Sequence, residues 1–421
     1  MNSICDTDVF WDLGNKIILM VKFDIEEERL IKSDYMATKI FLSINDRGKT
    51  LSILERLKAL LMFYDFKKLE GRLKKNINET FAAIFANLDY ITSKEKVVKS
   101  LRFEEPNLLN YYYHYIWKYL VRKYNLNIPY EYDRSVEGIY EDIRKALIAL
   151  QSDEQYRIEN FISDLINIFN EFATSFKEIL YQDTNNNLKL ITDFLGLSAR
   201  LYPLIIGLHL QGNLDNEFIR LVEMVDIYVY KAKKTDPRAS LYRDVISDIR
   251  ILVDGYTREN EIKEKLRGFV GENKGSCESR HPQLTKYLFW IFEKEINPNF
   301  NVLNLELYEK LDVEHILSET NDNFTAYGFE LRNDYDLFIE KIGNLTILEE
   351  KLNRGEVKNK NPVDKADIYL GKDDDIGSKL MVTRNLARNI KHKYNGFTKK
   401  EIVERTKELL DFVEKKWSIH N

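Results

Sequence analysis

Residues 311–362 read LDVEHILSETNDNFTAYGFELRNDYDLFIEKIGNLTILEEKLNRGEVKNKNP, and this stretch declares a chemistry. A Glu-His pair, Glu314-His315, follows an apolar lead-in. A second apolar run, residues 345–348, starts directly after Asn344. Asn353 then opens a charged, helix-compatible segment. Two strand-like runs and one helix carrying a carboxylate, an imidazole and two amides can form a compact hydrolytic site.

Cleaving a phosphodiester needs a nucleophilic water, a stabilised phosphorane and a stabilised departing oxygen. Neutral His suits the first task, because its pKa lies near working pH. A hard divalent cation suits the other two, and such cations take oxygen ligands. His315 is the expected base, and Glu314 and Asn353 the expected ligands of Mg²⁺ or Mn²⁺. Asn344 is expected to hold the loop or orient the imidazole. Successive side chains on a regular strand point to opposite faces. Glu314 and His315 share one metal only if the strand ends or bulges there, so an irregular backbone is expected at that point.

The order of a Glu-His pair, Asn344, and then Asn353 on a short helix resembles the HNH, or ββα-metal, nuclease core. The wording VEHIL followed by IGNLTILEEKLN resembles the C-terminal HNH domain of the GmrSD-type modification-dependent restriction endonucleases. That family has Pro shortly after the His, where this chain has Ser318, a change expected to cost loop rigidity rather than chemistry. Taken alone, an EH dipeptide or a GNL turn means nothing. In this order the motifs imply a nuclease core, with an inactive nuclease fold as the competing reading.

The chain has 421 residues, room for two or three domains. Apolar residues make up 44%, and 17 Gly and 7 Pro are few for this length, which predicts long helices. Cys5 and Cys277 lack metal-ligand spacing, excluding a Cys-x-x-Cys zinc site. With no signal peptide or long apolar span, a cytoplasmic protein without a membrane partner is expected. The net charge of −5 argues against a generic nucleic-acid coat. Residues 378–400 are the exception, with Lys379, Arg384, Arg388, Lys391, Lys393, Lys399 and Lys400 and no acid. Helical spacing puts Arg384, Arg388 and Lys391 on one face, a candidate DNA-phosphate contact beside the plainer reading of a solvated helix.

Residues 16–25 have strand composition. Asp46-Arg47-Gly48 is a turn, and Ser52 with Glu55 forms a capping box before a helix. Phe41, Asn45, Arg47, Gly48, Leu51 and Ser52 resemble the end of the N-terminal ParB-like domain of the same family. The DGQQR motif associated there with nucleotide hydrolysis is absent. The resemblance implies that residues 1–64 are a remnant of that domain in a naturally short, split or truncated chain, and that a protein partner could carry the nucleotide-binding part.

Residues 65–255 read as a helical domain, with helices at 108–124, 136–150, 156–180, 187–211 and 217–233. Tyr111, Tyr112, Tyr113, His114 and Trp117 can stack on bases, but their spacing favours core. His209 reads as a satisfied core histidine. Residues 268–282 read as the clearest loop. Cys277 and His281 lie there without a third residue to orient a nucleophilic pair. Residues 256–421 form the expected nuclease domain. Pro362 ends its short helix, Asp373, Asp374 and Asp375 are a solvated run, and Thr398 with Glu401 caps a last helix. Ile402, Leu409, Phe412, Val413 and Trp417 give that helix its buried face.

The expected fold is therefore mainly α, multi-helical, with a small ββα-metal core near the C-terminus. The expected function is metal-dependent DNA cleavage, with restriction of foreign or modified DNA implied by the resemblance. The alternatives are a subunit of a defence complex that needs a separate nucleotide-binding partner, and a helical interaction protein with an inactive nuclease fold.

Overall fold

The structure is a computed structural model and describes residues 10–12, 17–19, 51–93, 103–151, 155–181, 185–249, 257–320, 323–357, 360–371, 377–394 and 396–419. Within them the chain is mainly α-helical. Two short strands, β1 (Phe10–Asp12) and β2 (Ile17–Leu19), pair antiparallel, the second inside the expected 16–25 run. Phe41, Asn45, Arg47, Gly48 and the three Asp at 373–375 lie outside the described residues.

Helix α1 (Ile53–Leu69) opens on the expected capping box: Ser52 Oγ accepts the Glu55 amide, and the Glu55 carboxylate accepts the Ser52 amide. Such a cap contributes about 1 kcal/mol. Helices α2 (Lys74–Ser93), α3 (Glu105–Lys123), α4 (Val136–Leu150) and α5 (Gln155–Tyr181) follow. Each buries an apolar stripe, as Ile158, Phe161, Ile162, Leu165, Phe169, Phe172 and Phe176 do on α5. Tyr111, Tyr112, Tyr113, His114 and Trp117 of α3 are all buried. The Tyr112 ring stacks on Phe169 with centroids 4.5 Å apart, and its hydroxyl donates to the Leu165 carbonyl. This run is core, not an exposed platform for bases.

The expected helix at 187–211 is broken. Helix α6 (Asn186–Lys189) continues as a π-helical turn, Leu190–Phe194, and the chain then turns at Gly196 with φ +67° before α7 (Tyr202–Leu210). Left-handed backbone at Gly196 stops the first helix, and Pro203 fits the first turn of the next. Helix α8 (Asn216–Val225) likewise passes into a π-helical turn, Asp226–Ala232. Helix α9 (Arg238–Asp244) precedes α10 (Thr257–Asn273). The latter corrects the reading of residues 268–282 as a loop. Gly268 and Gly271 sit inside α10 with open space where a Cβ would stand. Gly in an open helix position costs about 1 kcal/mol but does not end the helix. The loop is confined to residues 274–281.

Helix α11 (Pro282–Ile296) and the short α12 (Leu305–Glu309) lead into β3 (Leu311–His315). Helix α13 (Arg332–Ile339) lies between β3 and its antiparallel partner β4 (Leu345–Glu349). A helical turn, Glu350–Leu352, and a π-helical turn, Asn353–Val357, follow β4. Pro362 begins a further helix, α14 (Pro362–Leu370), with Asn361 capping the Val363 and Asp364 amides. Asn361 as cap and Pro in the first turn are a helix start, a signal that outweighs reading Pro362 as a stop. Helix α15 (Met381–His392) and α16 (Lys399–Lys416) complete the fold, the last opening on the expected Thr398/Glu401 box. Ile402, Leu409, Val413 and Trp417 are buried as expected, and Phe412 is partly so.

The two-stranded sheet separates two cores. Leu311, Val313, Leu345 and Ile347 pack with α11 into the large core that runs through the helices before it. Leu348 packs with Ala366 and Tyr369 of α14 and with Leu386, Ala387 and Ile390 of α15 into a smaller core. The strand period of two puts Asp312 and Glu314 on this second side and His315 on the first.

Candidate active site

The β3–β4 ladder is regular to its last pair, His315↔Leu345. The chain bends at the next residues, Ile316 and Leu317. The expected irregularity thus begins one residue later, as the end of the strand rather than a bulge. Glu314 and His315 leave opposite faces of the strand but stand at its end, where both line one cavity of about 540 Å³. Asp312, Ser318, Glu319, Thr320, Asn353, Arg354 and Lys365 line it with them. Asp312 and Asn353 also line a neighbouring cavity of about 610 Å³.

His315 is largely buried, and its Nε2 is a buried atom without a hydrogen-bond partner. Two carboxylates face the ring: Glu319 Oε1 lies 3.5 Å from Nδ1 and Glu340 Oε1 lies 3.4 Å from Nε2. Burial pushes the imidazole pKa below its ordinary value, and the nearby Arg280 guanidinium pushes the same way, against Glu319, Glu340 and Glu314. His315 is therefore neutral near pH 7, as a proton acceptor must be. Arg280 approaches both glutamates, at 3.4 Å and 3.9 Å. One ligand atom from each of His315, Glu319 and Glu340 lies within 4.8 Å of the others, so this trio is a second group able to approach a cation.

Glu314 Oε1 accepts from Lys365 Nζ at 2.5 Å, and the same ammonium donates to the His315 carbonyl at 2.5 Å. Asn353 reaches the cavity from the start of the π-helical turn after β4. The donors Asp312, Glu314 and Asn353 are all oxygens, which fits Mg²⁺ or Mn²⁺ and not a thiolate-seeking metal. Asn344 is fully buried and does not bond the imidazole. Its Oδ1 accepts the Leu317 amide at 2.9 Å, and its Nδ2 donates to the carbonyls of Leu317 and Ile339. Of the two expected tasks, its contacts match holding the loop. Ser318, in the place of the family's Pro, accepts the Tyr335 hydroxyl on its carbonyl at 2.5 Å, which restrains the same loop.

Helix α16 braces this region from behind. Arg405 is buried and donates to the carbonyls of Gly343 and Leu345 at 2.7 and 2.5 Å, on either side of Asn344. Burial pushes the Arg405 pKa down to about 10, against the opposing pull of Tyr394, Glu408 and Tyr369. Gly343 sits so close to Ile402 and Thr406 that a Cβ would collide with backbone and hydroxyl.

The other candidates separate from this site. Arg384 donates to the Ser378 carbonyl, Arg388 to Asn385 Oδ1, and Lys391 pairs with Asp367 of α14. Lys399 and Lys400 meet Asp334 and Glu404. The acid-free segment thus takes acids from elsewhere in the fold. Cys277 is buried, with its thiol pKa pushed up to about 12 by burial, and His281 Nδ1 accepts the Leu284 amide at the start of α11. Neither is a nucleophilic pair. His209 Nδ1 lies 2.7 Å from Ser175 Oγ, a satisfied histidine.

Asp312, Lys365, Glu319, Glu340 and the bracing role of Arg405 were not read from the sequence. Asp312 stands two residues before Glu314, and that period alone places both on one face. Lys365 shares the inward stripe Pro362, Lys365, Ala366, Tyr369, and a lysine in such a stripe is the available signal. Glu319 and Glu340 have no spacing that marks them.

The site lies in a stretch that is similar to a known family. Residues 256–412 match the family model of GmrSD restriction endonucleases, C-terminal domain. This bears out, for that stretch, the resemblance drawn from VEHIL and IGNLTILEEKLN, and the match suggests a restriction endonuclease. The match does not reach residues 36–62. No curated protein and no solved structure matches the chain. Among the described residues no helix is long and apolar enough to cross a membrane.

Proposed function

We propose that the chain is a metal-dependent DNA endonuclease of the HNH type, with residues 256–421 as its nuclease domain, residues 65–255 as a helical domain and residues 1–64 as a ParB-like remnant. The reading places it in defence against foreign DNA. The observation that carries it is the convergence of Glu314, His315 and Asn353 on one cavity, inside the stretch that matches a restriction-endonuclease family.

In this reading His315 takes the proton of a water whose oxygen attacks phosphorus. The bond to the departing oxygen breaks, and that oxygen takes a proton from solvent. Glu314 and Asn353, with Asp312 beside them, would hold a Mg²⁺ or Mn²⁺ ion, which would supply Lewis-acid stabilisation of developing charge on the phosphate and the leaving oxygen. Asn344 keeps the backbone after His315 in place, and burial keeps His315 ready to accept. Plasmid cleavage with Mg²⁺ and with Mn²⁺ tests the reading. Wild type should cut and His315→Ala should be slower by about a hundredfold or more under single-turnover conditions. Equal rates would remove His315 from the mechanism, and an inactive wild type would overturn the reading.

A further inference from the structure

Lys365 is a buried charge at the candidate site to which this mechanism gives no task. Its side chain is 2% exposed, and a buried ammonium requires oxygen partners. It has two, and both belong to the candidate site: Oε1 of Glu314 and the backbone carbonyl of His315, each at 2.5 Å. One group on α14 therefore grips the expected ligand and the backbone of the expected base together. The anchorage behind it is firm. Lys365 lies on the buried stripe of α14 between Pro362 and Tyr369, and the Asn361 cap fixes the start of that helix.

We infer that Lys365 is a positioning residue for the divalent cation: it holds Glu314 by one carboxylate oxygen, so that the other is presented to the cation at a fixed angle. A carboxylate has lone pairs for both partners, so the lysine need not leave when the ion enters. The ammonium also offsets the carboxylate charge in the metal-free chain and holds a largely buried Glu314 in place. Outer partners of metal ligands act in this way, and their loss weakens metal binding rather than removing the site. The inference rests on the nuclease reading.

The test titrates Mn²⁺ into the metal-free full chain by calorimetry and measures single-turnover plasmid cleavage over the same Mn²⁺ range. Wild type is compared with Lys365→Met, Lys365→Arg, Glu314→Gln and the Lys365→Met/Glu314→Gln double variant. Lys365→Met should bind Mn²⁺ about 10- to 100-fold more weakly. Saturating Mn²⁺ should restore most of its cleavage rate. Lys365→Arg, which keeps the charge, should lie nearer wild type. The double variant should bind no more weakly than Glu314→Gln alone, because the lysine acts through that carboxylate. If Lys365→Met does not fold, Lys365→Gln, which can still bond the carbonyl, takes its place with the same expectation. An Mn²⁺ isotherm unchanged by loss of the lysine, in a chain that binds and cleaves, overturns the inference alone. So does tighter binding, which would make Lys365 a competitor for Glu314. Wild type that neither binds Mn²⁺ nor cleaves overturns the nuclease reading, and the inference with it.

Discussion

Asn344 closes its side-chain amide on both backbone groups of Leu317, accepting its N–H at 2.9 Å and donating to its carbonyl at 3.2 Å. Leu317 stands two residues beyond His315. The amide therefore sets where the chain goes as it leaves the strand, two residues from the proposed base. Asn344→Ala would strand the buried Leu317 amide and remove the donor to the Leu317 and Ile339 carbonyls. It should lower stability by roughly 2–4 kcal/mol in urea unfolding. Single-turnover cleavage at a temperature where the variant is still folded should fall as well, because the backbone two residues from the proposed base loses its anchor. A variant with wild-type rate would show that Leu317 holds its course without the amide.

Asp312 is the carboxylate nearest in sequence to Glu314 on the same strand face, and it lines both cavities beside Asn353. It meets Arg354 Nε at 3.5 Å and is partly exposed, so little of the fold depends on it. Asp312→Asn should keep the melting temperature within a few degrees of wild type. It should raise the Mn²⁺ concentration for half-maximal cleavage, by less than Glu314→Gln does. An unchanged Mn²⁺ dependence would leave Asp312 outside the coordination sphere.

The helices and the site were unequally legible in the sequence. Period and caps carry the signal for isolated amphipathic helices, so the 136–150 helix, the Ser52 box and the Thr398 box are found where their residues put them. The break at Gly196 and the change to a π-helical turn after Val225 were missed: in residues 187–211 the apolar periodicity outweighed the Gly196 and Pro203 signals, and in residues 217–233 only the backbone conformation changes. Gly268 and Gly271 misled in the opposite direction, since an open helix face tolerates glycine. Glu314, His315 and Asn353 were singled out through a motif whose order is set by strand, strand and helix, and they line one cavity. The partners Lys365, Glu340 and Arg280 reach the site through tertiary contacts, which no local spacing records, and Glu319 meets His315 from four residues on, in a loop without a helical period to mark it. The basic segment shows the same limit: Asp367 and Asp334 meet its lysines only after folding.

His114 gives a pH test of the helical core. It is buried beside the Tyr130 hydroxyl at 2.9 Å, and burial lowers its pKa from 6.5 to about 3. The unfolded chain thus binds a proton between those two values that the folded chain does not. The stability of the neutral-His fold is complete above pH 6.5 and falls as pH drops, by about 1.4 kcal/mol per pH unit from this group. His114→Gln should be less stable at pH 7 but should lose stability less steeply between pH 6.5 and 5. Parallel curves for the two chains would mean that His114 protonates in the folded state.

The basic helix α15 gives the last test, and its geometry changes the expected size of the effect. Arg384, Arg388 and Lys391 share a helical face by spacing, but Lys391 is already paired with Asp367 and Arg384 is half-buried with a bond to the Ser378 carbonyl. Arg388 is exposed and bonds the neutral Asn385. Each phosphate neutralised by such a cation contributes about 0.9 to the slope of log affinity against log salt. If α15 tracks the DNA backbone, Arg388→Ala should flatten that slope by about one unit and the triple Ala variant by about one to two, not the full three. Affinity should fall similarly on unrelated DNA sequences, because phosphate contacts do not read bases. The single-turnover rate at saturating DNA should change little. Fluorescence anisotropy at several salt concentrations measures the slope directly. An unchanged slope in the triple variant would make these charges a solvated helix face and move the DNA path to another surface of the fold.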